Sequence, residues 1–169
     1  DNYYVKFVTN NGGTFEEGQW EETVEDGIPF KFNYDKMPHV LVRQADGNFR
    51  FARVDGDTYS VTVGGTTASY TLPKWGERTA GDLESAPDPS FIGRNINNVF
   101  FFRNRLGFLA GDNVILSEVS KFFNFFPETV ISVLDSEPID VAASHTKVAI
   151  LKHAVTMGEQ LILFSDQTQ

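Results

Sequence analysis

Three apolar runs, residues 99–102, 106–109 and 114–116, are separated by Arg103-Asn104-Arg105 and by Gly111-Asp112-Asn113. Those separators are turn-forming residues. The pattern predicts a three-stranded antiparallel meander on which the rest of the chain is organised. The run Val99-Phe100-Phe101-Phe102 is too short and too continuously apolar for an amphipathic helix. It is expected to be covered on both faces by other parts of a β-rich core.

Before the meander, the same period-two reading gives hairpins. Residues 3–8 have strand composition, Asn10-Asn11-Gly12-Gly13 turns, and residues 18–24 return, with Trp20 expected on a buried face beside Glu22. Residues 29–34 alternate Phe30, Phe32 and Tyr34. Asp46-Gly47 joins residues 40–43 to residues 49–54, an arrangement in which Val40 and Val42 would share a face with Phe49 and Phe51. Residues 59–63 and 68–72 alternate on either side of Gly64-Gly65 and form the next hairpin. Residues 73–89 lose the apolar period and hold Pro87-Asp88-Pro89, which fixes two φ angles and reads as a stiff connector.

After the meander, residues 117–126 fit one or two helical turns stopped by Pro127, with Phe122, Phe123, Phe125 and Phe126 covering more than one side. Residues 130–134 and 139–142 read as strands, residues 146–155 fit either a helix or a buried strand, and residues 158–165 read as a strand. The fold class is therefore mainly β, with antiparallel hairpins and meanders in two lobes and few short helices. The organisation expected is a hairpin lobe over 1–72, a connector over 73–89 and a meander lobe over 90–169. Short strands at this spacing suit a sandwich or a propeller.

Composition agrees and narrows the chemistry. Of 169 residues 41% are hydrophobic, and sixteen Phe and five Tyr stand against two Met, which favours strands. With no cysteine, disulfides, thiol catalysis and thiolate metal sites are excluded. No run approaches the roughly 18 apolar residues of a membrane-spanning helix, so no spanning segment is expected. The chain opens on Asp1 and ends in strand-like sequence at Gln169, which suggests a piece of something longer. Fourteen basic against twenty-three acidic side chains give a net charge of −9, which argues against a phosphate-gripping surface.

Candidate catalytic and metal groups are weak. Asp135, Glu137 and Asp140 lie near Glu128 in sequence, and a glycosidase needs two positioned carboxylates, but turn carboxylates that accept backbone hydrogen bonds are the commoner use. Asp55-Gly56-Asp57 lacks the remainder of a calcium loop, and His39, His145 and His153 have no metal-ligand spacing. No Gly-x-Ser-x-Gly elbow is present. No catalytic residue, metal or cofactor is assigned. Arg103 and Arg105 have three open roles: facing a channel, pairing with carboxylates across a subunit boundary, or remaining solvated at a turn. The planar bidentate guanidinium favours pairing. Phe122 and Phe126 are candidates for the core or for a neighbour's groove.

Asp88-Pro89-Ser90-Phe91-Ile92 and the run Phe100-Phe101-Phe102-Arg103-Asn104-Arg105-Leu106-Gly107-Phe108-Leu109 resemble the tail tubular protein B family, the nozzle proteins of short-tailed double-stranded DNA phages. Tyr4-Val5-Lys6, Met37-Pro38-His39, Asp46-Gly47-Asn48-Phe49, Trp75, Gly81-Asp82, Ile115-Leu116-Ser117, Phe123-Asn124-Phe125, Pro138-Ile139-Asp140-Val141-Ala142 and Ala149-Ile150-Leu151-Lys152 follow in family order. The hairpin over 55–72 looks like additional material, and Glu137 stands where the family pattern has Asp.

The resemblance implies a non-enzymatic virion protein at the distal end of the tail. It would form a hexameric ring docked on a tail adaptor ring, help attach tail fibres and channel double-stranded DNA during ejection, with part of the fold propeller-like. In that setting Arg103, Arg105, Phe122 and Phe126 are candidate interface or lumen residues. The alternatives are a carbohydrate-binding or carbohydrate-cleaving tail domain, which would join aromatic platforms to a carboxylate pair in one cleft, and a bare β-scaffold with no partner.

Overall fold

The computed structural model describes residues 3–14, 16–143 and 150–166. The described chain is built from antiparallel strands, and its single helical element is a 3-10 turn at Tyr34–Lys36. Two compact units emerge, Asp1–Phe30 with Glu77–Gln169, and Lys31–Gly76.

The first unit opens with β1 (Val5–Thr9) and β2 (Gly18–Glu22), a two-stranded ribbon in which Phe7 lies opposite Trp20. Their rings meet edge to face at 5.4 Å. Trp20 does not reach a core: it is 68% exposed on a sheet of only two strands.

In the second unit, β3 (Val40–Arg43) and β4 (Phe49–Ala52) are joined through Asp46-Gly47, as the turn chemistry predicts. The Asp46 carboxylate accepts from the Asn48 N–H at 2.9 Å, and Gly47 takes a φ of +84°. The register differs from the expected pairing. Leu41 opposes Phe51 and Arg43 opposes Phe49, while Val40 and Val42 face Ala52 and Arg50. Opposed residues share a face, so the two Phe side chains join Leu41 on the exposed side and Ala52 turns inward.

β5 (Thr58–Val63) and β6 (Thr66–Thr71) follow, closed by Gly64-Gly65 at φ of +60° and +82°. One face of this hairpin carries the hydroxyl pairs Thr58–Thr71, Ser60–Ser69 and Thr62–Thr67, and the other stacks Tyr59 on Tyr70. The alternation over 29–34 does not produce a strand. Asn33 caps the 3-10 turn by accepting from the Asp35 N–H, which diverts the backbone.

The meander is present and gains a strand. β7 (Ile96–Phe102), β8 (Arg105–Ala110), β9 (Asn113–Leu116) and β10 (Ile139–Ala142) form one antiparallel sheet in the order β10-β9-β8-β7. Every residue of β8 is buried, so the strand covered on both faces is β8 and not β7. On β7, Phe100 is buried while Val99 and Phe101 are exposed, because β7 is the edge.

One face of the sheet packs against β11 (Leu151–Met157) and β12 (Gln160–Ser165) through Phe100, Leu109, Val114, Leu116 and Leu151. Residues 151–155 are thus strand, which resolves part of the helix-or-strand ambiguity; Val148 and His145 lie outside the described residues. The Phe100 ring lies over the opposed Gly107, where an added Cβ would run into it. The glycine is the space that ring occupies.

The other face holds a knot of three rings: Phe91 meets Phe108 at 5.0 Å and Phe125 at 5.2 Å, and Phe108 stacks on Phe125 at 5.5 Å. The segment supplying Phe125 is a chain of turns and not a helix. Ser120 sits at φ +64°, and the Asn124 carboxamide binds the Glu118 carboxylate and both main-chain groups of Phe126. These local bonds occupy groups that a helical ladder would need. Residues 130–134 are likewise not a strand: the Val130 N–H donates to the Glu22 carboxylate, and Val133 projects into solvent.

Candidate functional site

The four candidate interface or lumen residues are placed very differently. Arg105 opens β8 with its side chain inside, donating through Nη1 to the carbonyls of Ser117 (2.8 Å) and Glu137 and through Nη2 to that of Asp135 (2.8 Å). Its partners are main-chain carbonyls rather than the carboxylates expected of a pairing arginine. Burial draws its pKa below the ordinary value, partly offset by the Glu118 charge. The fork ties β8, the end of β9 and the loop before β10 together.

Arg103 stands at the two-residue turn between β7 and β8, where Arg103 and Asn104 both have positive φ. It is exposed and reaches Glu159 at 3.5 Å, a contact worth little in water. Phe126 is 1% exposed and belongs to the core. Phe122 is half-buried, with its ring edge-on to the exposed Phe101 at 5.5 Å.

A second buried arginine escaped the sequence reading. Arg78 donates to the carbonyls of Ala86 (2.7 Å) and Pro29, pairs with Asp88 at 2.9 Å, and lays its guanidinium over the Phe126 ring at 4.6 Å. Its partners are scattered over 29, 86 and 88, and the only signal in the sequence was the stiff Pro87-Asp88-Pro89 element beside it. Nearby, Asp82 accepts from the N–H groups of Glu84 and Ser85 and from the Ser85 hydroxyl. Those bonds, the Ser85 N–H first, hold its pKa below the ordinary carboxylate value.

Two of the acidic candidates, Glu128 and Asp140, are engaged through their carboxylates, while the Glu137 Oε1 is buried with no hydrogen-bond partner among the described residues. Glu128 pairs with Lys121, which also reaches Glu118 at 2.9 Å. The Lys121 hydrogen bond lowers the Glu128 pKa, and the same bond raises that of Lys121. Asp140 accepts from the Ser90 N–H at 2.7 Å and from Asn113 at 3.0 Å. Asp135 and Glu137 contribute main-chain carbonyls to Arg105. Asp55 accepts from the Asp57 N–H and pairs with Arg53, and among the described residues no group of three His, Cys, Asp or Glu could hold a metal ion. His39 stacks on Phe51 at 4.9 Å and bonds the Met37 carbonyl. His153 lies within β11.

Among the exposed large apolar side chains are Phe7 and Trp20 on β1–β2 and Leu41, Phe49 and Phe51 on β3–β4. The bacteriophage nozzle protein family model matches residues 1–169. The chain belongs to this family. It is also 41% identical over 169 residues to the tail tubular protein gp12 of Escherichia phage T7, an alignment covering all of this chain and 18% of that protein. The chain thus spans under a fifth of the length of the curated relative. As a nozzle-family segment it is part of a structural tail protein of a phage virion, and no described helix is long and apolar enough to cross a membrane.

Proposed function

We propose that the intact protein works without catalysis, as a hexameric ring at the distal end of a short phage tail. It docks on a tail adaptor ring, helps hold tail fibres and leaves a channel through which double-stranded DNA is ejected. The match of the nozzle family over residues 1–169 carries this reading. The arrangement of charge supports it. The Glu128 and Asp140 carboxylates are occupied by structural bonds, and a net charge of −9 favours a surface that repels passing phosphates over one that grips them. Of the four candidate interface or lumen residues, Arg103 and Phe122 have surface to offer a neighbour or a channel.

Sedimentation of the full-length protein with and without the adaptor ring tests the proposal. A six-copy assembly, alone or seeded by the adaptor, is expected; a chain that stays monomeric and ignores the adaptor would defeat it. The carbohydrate reading keeps one supporting observation, an open groove in the first unit bordered by Tyr3, Tyr4, Phe30, Glu25 and Asp26. Binding of host polysaccharide that is lost on Tyr3→Ala would favour it.

A further inference from the structure

Two ribbons carry exposed aromatic side chains in units of opposite net charge. On β3–β4 the outward face presents Leu41, Arg43, Phe49 and Phe51, with Phe51 71% exposed and His39 stacked against it. The opposite face is turned inward, with Ala52 buried and the Arg50 guanidinium over the Tyr59 ring at 4.0 Å. The unit that carries this ribbon, Lys31–Gly76, has six basic against four acidic side chains, a net +2. On β1–β2 the outward face presents Val5, Phe7 and Trp20. The ribbon itself holds Lys6 opposite Glu21, but no further lysine or arginine occurs between residues 7 and 30, where Glu16, Glu17, Glu21, Glu22, Glu25 and Asp26 supply six carboxylates, that of Glu22 being held by Thr129 and Val130. Its unit holds eight basic against nineteen acidic side chains, a net −11, and the two units together make the −9 of the chain.

We infer that the basic, aromatic β3–β4 ribbon of one copy seats on the acidic, aromatic β1–β2 ribbon of the next copy. This inference rests on the ring reading above and names the surfaces that would close the ring. Three considerations converge. Exposed aromatic and aliphatic side chains flanked by charge have the make-up of an interface centre, where aromatics and arginine dominate the binding energy. The charges are complementary between the units that carry the ribbons, and two acidic units would repel each other, which favours a head-to-tail contact over a two-fold one. A head-to-tail contact between different patches of identical chains is the kind that generates closed rings. Both ribbons are also short and two-stranded, so partner surface would cover aromatic rings that their own sheets leave open.

Cysteine substitution tests the contact directly, because this segment contains no cysteine of its own. The full-length protein is prepared with Trp20→Cys, with Phe51→Cys and with both, any cysteine elsewhere in it being replaced. Each form is assembled into tails and treated with a short bismaleimide. Both positions are exposed, so folding is expected to survive, and unchanged circular dichroism checks it. The double variant should give a ladder of multimers, a mixture of the two single variants should stop at dimers, and either single variant alone should give none. A lysine-directed crosslinker on the same particles separates the two ideas. Multimers with the lysine reagent but no ladder from the cysteine pair would overturn the ribbon contact and leave the ring standing. No multimers with either reagent would overturn both.

Discussion

The four-stranded sheet and the two-stranded ribbons are made from the same residue types and end in opposite surroundings. β8, with Leu106, Phe108 and Leu109, is buried along its whole length because strands flank it on both sides and other chain covers both faces. β4, with Phe49 and Phe51, hydrogen-bonds to one strand and leaves both rings in solvent. Hydrophobic alternation therefore identifies strands in both regions, but burial depends on what the topology lays over each face. The two central strands of the sheet are covered within the chain, while its edge strands β7 and β10 keep exposed apolar side chains. The ribbons have an apolar face that their own unit does not cover.

Substitutions should separate the two regions, read as changes in the opening free energy of β8 amides by hydrogen exchange in the full-length protein. Phe126→Ala is expected to cost the most, about 3–5 kcal/mol, because it empties a buried site and removes the ring beneath Arg78. Arg105→Met keeps an apolar stem but strands the carbonyls of Ser117, Asp135 and Glu137, with an expected loss of about 3 kcal/mol. Gly107→Ala drives a methyl group into the Phe100 ring and should cost about 1–3 kcal/mol; pairing it with Phe100→Leu should recover part of the loss. Trp20→Ser and Phe51→Ser should change the same amides by no more than about 0.5 kcal/mol. If the ribbon substitutions cost as much as the core ones, the contrast between the regions fails.

Acid titration should give the smallest effect, confined to the turns. Asp82 and Glu128 both have depressed pKa values, so their contribution is complete above the ordinary values of 3.8 and 4.5 and fades as pH falls through the lower, folded values. Lys121 is raised, so its contribution is complete below 10.5 and fades only above that. The opening free energy of amides in the turns around residues 82–85 and 118–128, with the intrinsic pH dependence of exchange divided out, should be steady through neutral pH and fall first at the acid end. Glu128→Gln should remove the second part of that response.

The strands and turns were largely legible in the sequence because turn chemistry is local. Asp46-Gly47, Gly64-Gly65 and Arg103-Asn104 each close a hairpin where the alternation placed one. What the sequence did not carry was long-range cover. Trp20 and Phe101 are as apolar as any core residue, yet one sits in a two-stranded ribbon and the other on an edge strand. Register was missed on β3–β4 because the loop between Gln44 and Asn48 sets it, and not the apolar alternation alone. The arginine clasps were hidden for a related reason: Arg105 binds carbonyls some 30 residues away and Arg78 reaches back to Pro29, partners that leave no side-chain signature. The Phe-rich segment from 122 to 126 reads from its composition as filler for the core or a neighbour's groove, but its division into the buried Phe125 and Phe126 and the half-buried Phe122 and Phe123 depends on the Asn124 bonds.

Hydroxyl-radical footprinting of the full-length protein, free and assembled in tails, tests most directly the claim that this segment works through contacts between subunits. Oxidation of Phe7, Trp20, Phe49 and Phe51 should fall sharply on assembly, while the buried Phe91, Phe108 and Phe125 stay unreactive in both states. The same oxidation of the ribbon aromatics in the free and assembled protein would contradict that claim.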